Sequence, residues 1–394
     1  MNAILSVRAQ KIEPSATLAI SDLARELKSK GRDIISLSAG EPDFDTPDFI
    51  KSFAIDAIHQ GFTKYTNVDG TPVLKAAITH KLKRDNHLDY EPNEIIVSSG
   101  AKQSIYNAIM AILNPNDEAI IPAPYWVSYP PMVEIAEAKP VIVQTTIIQN
   151  FKITPEQLSK AITPKTRLLI LNSPSNPSGV AYSEGELKAL ADVLLQHPQI
   201  LILSDDIYEY IFWGKNRFVN IVNICPELRE RTIVVNGMSK AYAMTGWRIG
   251  YAAAAKRIVQ AMKKIQSQST SSPNSIAQAA ATSALGYERQ DFNYMYEAYK
   301  SRHDFLLSTL DQMKGICCIP ADGAFYLFPD LSLTIQRLGL KSDIELSTYL
   351  LDKTNVVVMP GSAFGAKNHI RLSCAVSEKK LTKAMNRLAT ILDQ

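Results

Sequence analysis

Along the chain, short runs of consecutive apolar residues alternate with longer stretches whose apolar positions recur every three or four residues. The runs fall at 95–97, 119–121, 168–171, 200–203 and 232–235. Each is too short for a helix and shows no polar alternation, the pattern of strands buried on both faces. The intervening stretches are long enough for helices of roughly 10–15 residues. Strands separated by helices predict an α/β fold with a mostly parallel sheet covered by helices. In such sheets ligands sit beyond the carboxyl ends of the strands, and here those ends carry Ser99 and Gly100, Trp126, Asn172 and Asn176, Asp205 and Tyr208, and Lys240.

The flanking segments follow another pattern. Residues 16–30 place Leu18, Leu23 and Leu27 at helical spacing before Gly31 stops the helix. A brief strand at 34–37 runs into a turn at 38–43, and helices are expected over 48–60 and 71–86, the second opened by Pro72. After residue 285 a polar helical stretch, 287–313, precedes an α+β tail with strands at 324–328, 356–359 and 369–373 and helices at 343–352 and the end. The expected organisation is a large ligand-binding domain over 46–285 and an interdomain helix with a smaller domain over 286–394. Residues 1–45 supply an N-terminal arm and complete the smaller domain.

Net charge is +3, from 42 Lys and Arg against 39 Asp and Glu, with no long basic run, so a nucleic-acid surface is not expected. No stretch has the length of a membrane span, and the first residues lack a signal-peptide core. Cys225, Cys317, Cys318 and Cys374 lack metal-site spacing, and two of them are adjacent, which fits a reduced, cytoplasmic protein. The scattered histidines give no support to a metal site or a histidine-based triad. Glycine-rich nucleotide loops and the G-x-S-x-G and H-E-x-x-H motifs are also missing.

What remains is a lysine chemistry. Lys240 lies just past an apolar strand among small and apolar neighbours, where an amine sheds its proton readily and attacks carbonyl carbon. Pyridoxal 5'-phosphate needs such an amine and a carboxylate to keep its ring nitrogen protonated. Asp205, at a strand end, suits the ring nitrogen, and Tyr208 the phenolic oxygen. Ser99, Gly100, Ala101 and Lys102 open a helix whose free N–H groups favour a phosphate, with Ser239 and Arg248 as further contacts and Trp126 as a stacking surface. Singly, each has a plain alternative: Asp205 as a helix cap, Trp126 as core, Ser99-Gly100 as an ordinary turn. Their common order around Lys240 makes the joint reading the stronger one.

With these residues in view, the sequence resembles a class I pyridoxal-phosphate-dependent aminotransferase of the aspartate aminotransferase family, in its bacterial-type branch. The resemblance spans nearly the whole chain and rests on AGEPDF (39–44), KYTNVDG (64–70), SSGAKQ (98–103), PYWVSYP (124–130), NSPSNPSG (172–179), SDDIYE (204–209), SKAYAMTGWRIGY (239–251) and HIRLSCA (369–375). It implies a fold-type I architecture, with Lys240 as Schiff-base lysine and general base, Asp205 at the ring nitrogen, and Tyr208 and Asn176 at the phenolic oxygen. Trp126 would cover the ring, and Arg371 with Gly40 would hold the substrate's α-carboxylate. Lys102, Ser15 and Thr17 match the positions that read a distal carboxylate in this branch. Tyr65 would reach the phosphate of a neighbouring subunit, making the active form a homodimer. The implied reaction moves the amino group of L-aspartate to 2-oxoglutarate by a ping-pong mechanism, with prephenate as a further substrate; an aromatic or alanine aminotransferase, or a β-lyase of the same fold, is the alternative. Two positions depart from some relatives: Gly237 stands where they carry a serine, and Ala101 where they carry a second glycine.

Overall fold

The structure, a computed structural model, describes residues 5, 6, 9, 10, 12 and 16–393, with backbone alone over 16–18. Its strands are β1 (Ile35–Ser36), β2 (Ile95–Ser98), β3 (Glu118–Ala123), β4 (Lys139–Gln144), β5 (Thr166–Asn172) and β6 (Leu201–Asp205). The remaining strands are β7 (Thr232–Gly237), β8 (Gly250–Ala253), β9 (Tyr326–Leu327), β10 (Val356–Val357), β11 (Met359–Pro360) and β12 (Ile370–Ser373). Seven of these form one sheet in the order β2-β8-β7-β6-β5-β3-β4. All neighbours are parallel except β8, which runs antiparallel to both β2 and β7.

Successive side chains of a strand leave opposite faces, and the expected run-of-apolars pattern arises because both faces are covered. Val97, Ile120, Leu169, Ile202 and Val234 belong to one buried cluster. Ile96, Ile121, Ile170, Leu203 and Val235 belong to a second cluster across the sheet. Helix Ala101–Ile112 packs on β7 and β8, and helix Lys256–Ser267 on that helix and β2.

The periodicity placed the five long buried strands and overlooked two members. β4 contains Pro140 and lies at the sheet edge, where a missing N–H is tolerated. β8 is Gly-Tyr-Ala-Ala, a composition with little strand propensity of its own. Its place is set by contact: a Cβ on Gly250 would come within 2.1 Å of the Ala101 backbone nitrogen, so only glycine lets the start of helix Ala101–Ile112 approach this strand.

Outside the large sheet, β1 pairs parallel with β10, joining residues 35–36 to 356–357. A three-stranded antiparallel sheet has the order β11-β12-β9, so β12 is central rather than an edge. The expected strand over 356–359 is in fact two strands, and they serve different sheets. Among the described residues, no helix is long and apolar enough to cross a membrane.

Candidate active site

A cleft of about 500 Å³ opens beyond the carboxyl ends of β5 and β6, between them, the 238–249 segment and the small sheet. Lys102, Lys240, Arg248 and Arg371 line it, against the carboxylates Asp205 and Glu41. The excess of cations suits anionic groups.

Lys240 belongs to the link between β7 and β8, and that link is stitched down on several sides. Thr46 Oγ1 donates to the Ala243 carbonyl at 2.6 Å and accepts from Trp247 Nε1 at 2.9 Å. Tyr296 OH donates to the Ala241 carbonyl at 2.9 Å. These bonds hold the lysine at the cleft floor, where Nζ donates to the Gly40 carbonyl. Burial, followed by the charge of Arg371, brings the Lys240 ammonium down to about 8. Asp205 shifts oppositely, pushed up to about 6 by burial. It is kept from rising further by a 2.6 Å bond from Tyr129 OH, a 3.3 Å bond from the Ile207 N–H and the nearby lysine. The register of β6 against β7 sets Asp205 beside Val235, so the carboxyl and the amine project from neighbouring strand ends.

Arg371 extends from central β12 and is 7% exposed. Its guanidinium lies between the rings of Tyr326 and Phe364, 4.5 and 4.8 Å from their centroids. One Nη donates to Asn176 Oδ1 at 2.9 Å and the other to the Ser38 carbonyl at 2.7 Å, while the buried Nε finds no partner among the described residues. A planar fork clamped in this way has little rotamer freedom left to lose on binding a carboxylate. Tyr208 OH shares a 2.9 Å hydrogen bond with Tyr326 OH, tying the strand end to the small sheet. Trp126 packs edge-on to Tyr129, with Lys102 Nζ 4.9 Å from its ring centroid. Burial and the charge of Arg248 lower the Lys102 ammonium.

Of the residues singled out from sequence, Gly40, Ala101, Lys102, Trp126, Asn176, Asp205, Tyr208, Ser239, Lys240, Arg248 and Arg371 line this one cleft. Ser99 and Gly100 stand behind Arg248: the Ser99 carbonyl accepts from its Nη2 at 3.4 Å, and Gly100 has φ +88°. Tyr65 is 95% exposed and does not line the cleft. Ser15 and the Thr17 side chain lie outside the described residues. Sequence reasoning passed over Tyr129, Tyr326 and Phe364, and placed Asn172 at a strand end without a role. Tyr129 and Asn172 sat inside motifs already quoted, whereas Tyr326 and Phe364 read as core aromatics.

Comparison with known proteins places this geometry. Residues 32–388 match the family described as aminotransferase class I and II. An aspartate/prephenate aminotransferase of Nitrosomonas europaea is 54% identical over 98% of this chain and 99% of its own. The crystal structure of the aspartate aminotransferase from Rhizobium meliloti superposes with a TM-score of 0.96 at 45% identity, covering 100% of this chain and 99% of that one. The Thermus thermophilus aspartate aminotransferase with maleate gives 0.93 at 41% identity, covering 99% and 100%.

The depressed Lys240 proton affinity has a direct readout. Burial disfavours the ammonium, so acylation of this amine in the cofactor-free protein should rise with pH to an inflection near 8 instead of the ordinary 10.5. Folding should also gain stability as pH climbs between those values, because the unfolded lysine still holds the proton that the folded one has lost. Site-resolved modification rates by mass spectrometry check this; an inflection above 10 contradicts the burial account.

Proposed function

Because the chain belongs to the class I and II aminotransferases, we propose that it transfers the amino group of L-aspartate to 2-oxoglutarate through pyridoxal phosphate, with prephenate as a further substrate. The observation that carries this reading is the convergence of Lys240, Asp205 and Arg371 on one cleft. The names of the relatives add support, as does the maleate, a dicarboxylate, in the Thermus thermophilus structure.

The residues present fit the cofactor. At Gly100 a Cβ would lie 2.4 Å from Arg248 Nη2, so the bare backbone leaves room for the arginine over the start of helix Ala101–Ile112. That helix start, with Ser99, Gly100, Ala101, Ser239 and Arg248, would hold the phosphate. Asp205 would hold the ring nitrogen, Tyr208 and Asn176 the phenolic oxygen, Lys240 the aldehyde carbon and Trp126 the ring face. When bound, pyridoxal phosphate supplies a carbonyl that captures amines and a protonated ring that draws electrons from the adjacent carbon.

The chain's own residues then divide the work. Arg371, whose Nε–H has no partner among the described residues, takes the α-carboxylate and fixes the substrate's orientation. Lys102 meets the distal carboxylate, joined by Ser15 and Thr17. Lys240, whose burial favours the neutral amine, accepts the α-proton at Nζ and would deliver it two atoms along, at the carbon that the cofactor's aldehyde supplies. Asp205 keeps a proton at the ring nitrogen by remaining an anion beside it.

Residues 1–45 and 286–394 act as the body that closes on 46–285, a division supported by the β1–β10 pairing. Gly40 and Arg371 ride on that body while Lys240 stays on the other, so a bound carboxylate draws the two together and sheds water from the cleft. The active form is a homodimer in the cytoplasm. Helix Asp48–His59 exposes Phe53, Ile55 and Ile58, with Phe62 beyond it, an apolar surface suited to a second copy. Exposed Tyr65 lies close by in sequence and reaches the partner's phosphate.

Steady-state assays with an amino-donor panel test the assignment. Aspartate should be preferred over phenylalanine and alanine, and Lys240→Ala should lose at least about 10⁴-fold in turnover. Lys102→Ala should lose about 10–100-fold in kcat/KM for aspartate but not for alanine, the range expected for one charge-assisted hydrogen bond. Preference for an aromatic donor, pyruvate and ammonia from cystathionine, or an active Lys240→Ala would overturn the reading. Ile58→Glu should shift sedimentation toward a monomer and reduce activity, since Tyr65 would have no partner site to reach; an active monomer contradicts the shared-site arrangement.

A further inference from the structure

The last residue of β6 and those that follow make one turn, and their side chains divide by threes. Asp205 and Tyr208 line the cleft. Asp206 and Glu209, 1% and 6% exposed, are engaged elsewhere in the interior. Asp206 accepts from Ser204 Oγ at 2.7 Å and from Asn220 Nδ2. Glu209 receives Lys81 Nζ on one carboxylate oxygen and Asn86 Nδ2 on the other, and Lys81 Nζ also donates to Asn86 Oδ1 at 2.7 Å. These three side chains close a ring of hydrogen bonds between the turn and helix Pro72–Asn86.

The ring is buried and braced. Lys81 is 1% exposed and lies 5.0 Å from the centroid of the Tyr210 ring. Tyr210 OH donates to Asp85 on the same helix, and Asn223 Nδ2 donates to the Asn86 carbonyl at 2.8 Å. Removing two charges from water costs about as much as their attraction returns, so an apolar trio of similar volume would serve stability as well. What the ion pair adds is direction, because each bond has a narrow range of lengths and angles. The turn's own backbone bonds, such as Glu209 N to Asp206 O at 2.9 Å, fix its internal shape but not its placement against the helix.

We propose that the Lys81–Glu209 ion pair, closed by Asn86, is a positioning device for the reaction: it sets from behind where Asp205 and Tyr208 stand in the cleft. The inference rests on the cofactor function proposed for that cleft. Lys81, Asn86 and Glu209 do not line the cleft, so they act only through the turn.

The test compares the native protein with a variant carrying Lys81→Met, Asn86→Leu and Glu209→Leu together, which strands no buried polar group of the ring. Two probes are titrated into the cofactor-free proteins: pyridoxal phosphate, and its analogue with carbon in place of the ring nitrogen, which has no use for Asp205. The variant should melt within about 4 °C of the native protein. Its preference for pyridoxal phosphate over the analogue should fall about tenfold or more, and kcat should fall at least as far with KM little changed, as expected when catalytic groups shift by about 1 Å. Equal loss of affinity for both probes, or no loss at all, would overturn the positioning role while leaving the proposed function standing. Failure of the native protein to bind pyridoxal phosphate would remove both. Should the triple variant not fold, Asn86→Leu alone decides: it keeps the ion pair but opens the ring, and should show a smaller loss of the same preference.

Discussion

An amine and a carboxyl, drawn out of water on neighbouring strand ends, set the terms for everything around them. Burial pushes their proton affinities toward one another, Lys240 down to about 8 and Asp205 up to about 6. The Lys240 value falls where an amine can take up and release a proton near neutral pH, while the Asp205 value still leaves that carboxyl an anion at pH 7. Neither group could stay there alone. Asp205 depends on the Tyr129 hydroxyl and the Ile207 N–H, and Lys240 donates to the Gly40 carbonyl within a link tied down through Thr46 and Tyr296.

The fold meets that requirement by bringing distant segments to one edge. Parallel β5 and β6 end together, and β7 turns into antiparallel β8 through the lysine-bearing link. The small sheet contributes Arg371 from its central strand, already gripped by two rings and two hydrogen bonds. Tyr326 links the small sheet to the end of β6, since its hydroxyl meets Tyr208 and its ring supports Arg371.

Much of this was legible in the amino-acid sequence because buried parallel strands write themselves as uninterrupted apolar runs, with polar residues concentrated where each run ends. Lys240, Asp205 and Arg248 could be picked out that way before any coordinates. Tyr129 and Tyr326 could not: Tyr129 carries no signal of its own within its motif, Tyr326 among apolar neighbours reads as core, and their partners lie 76 and 118 residues away. The same holds for Lys81, one of several lysines in its helix, whose burial follows only from Glu209, 128 residues later. Strands β4 and β8 escaped because Pro140 and Gly250 weaken the local signal, while tertiary contact supplies what propensity lacks. Tyr65 presents the converse case, conspicuous in its motif yet directed to solvent in the single chain.

The central claim is that this cleft uses Lys240 and Asp205 to move an amino group from aspartate onto a bound cofactor. Single-turnover spectrophotometry tests it most directly: protein loaded with pyridoxal phosphate is mixed with L-aspartate and no 2-oxo acid. The visible cofactor band should be lost, with one oxaloacetate released per site, and 2-oxoglutarate should restore the band. A protein that forms no band with pyridoxal phosphate, or whose band is indifferent to aspartate, would contradict the account.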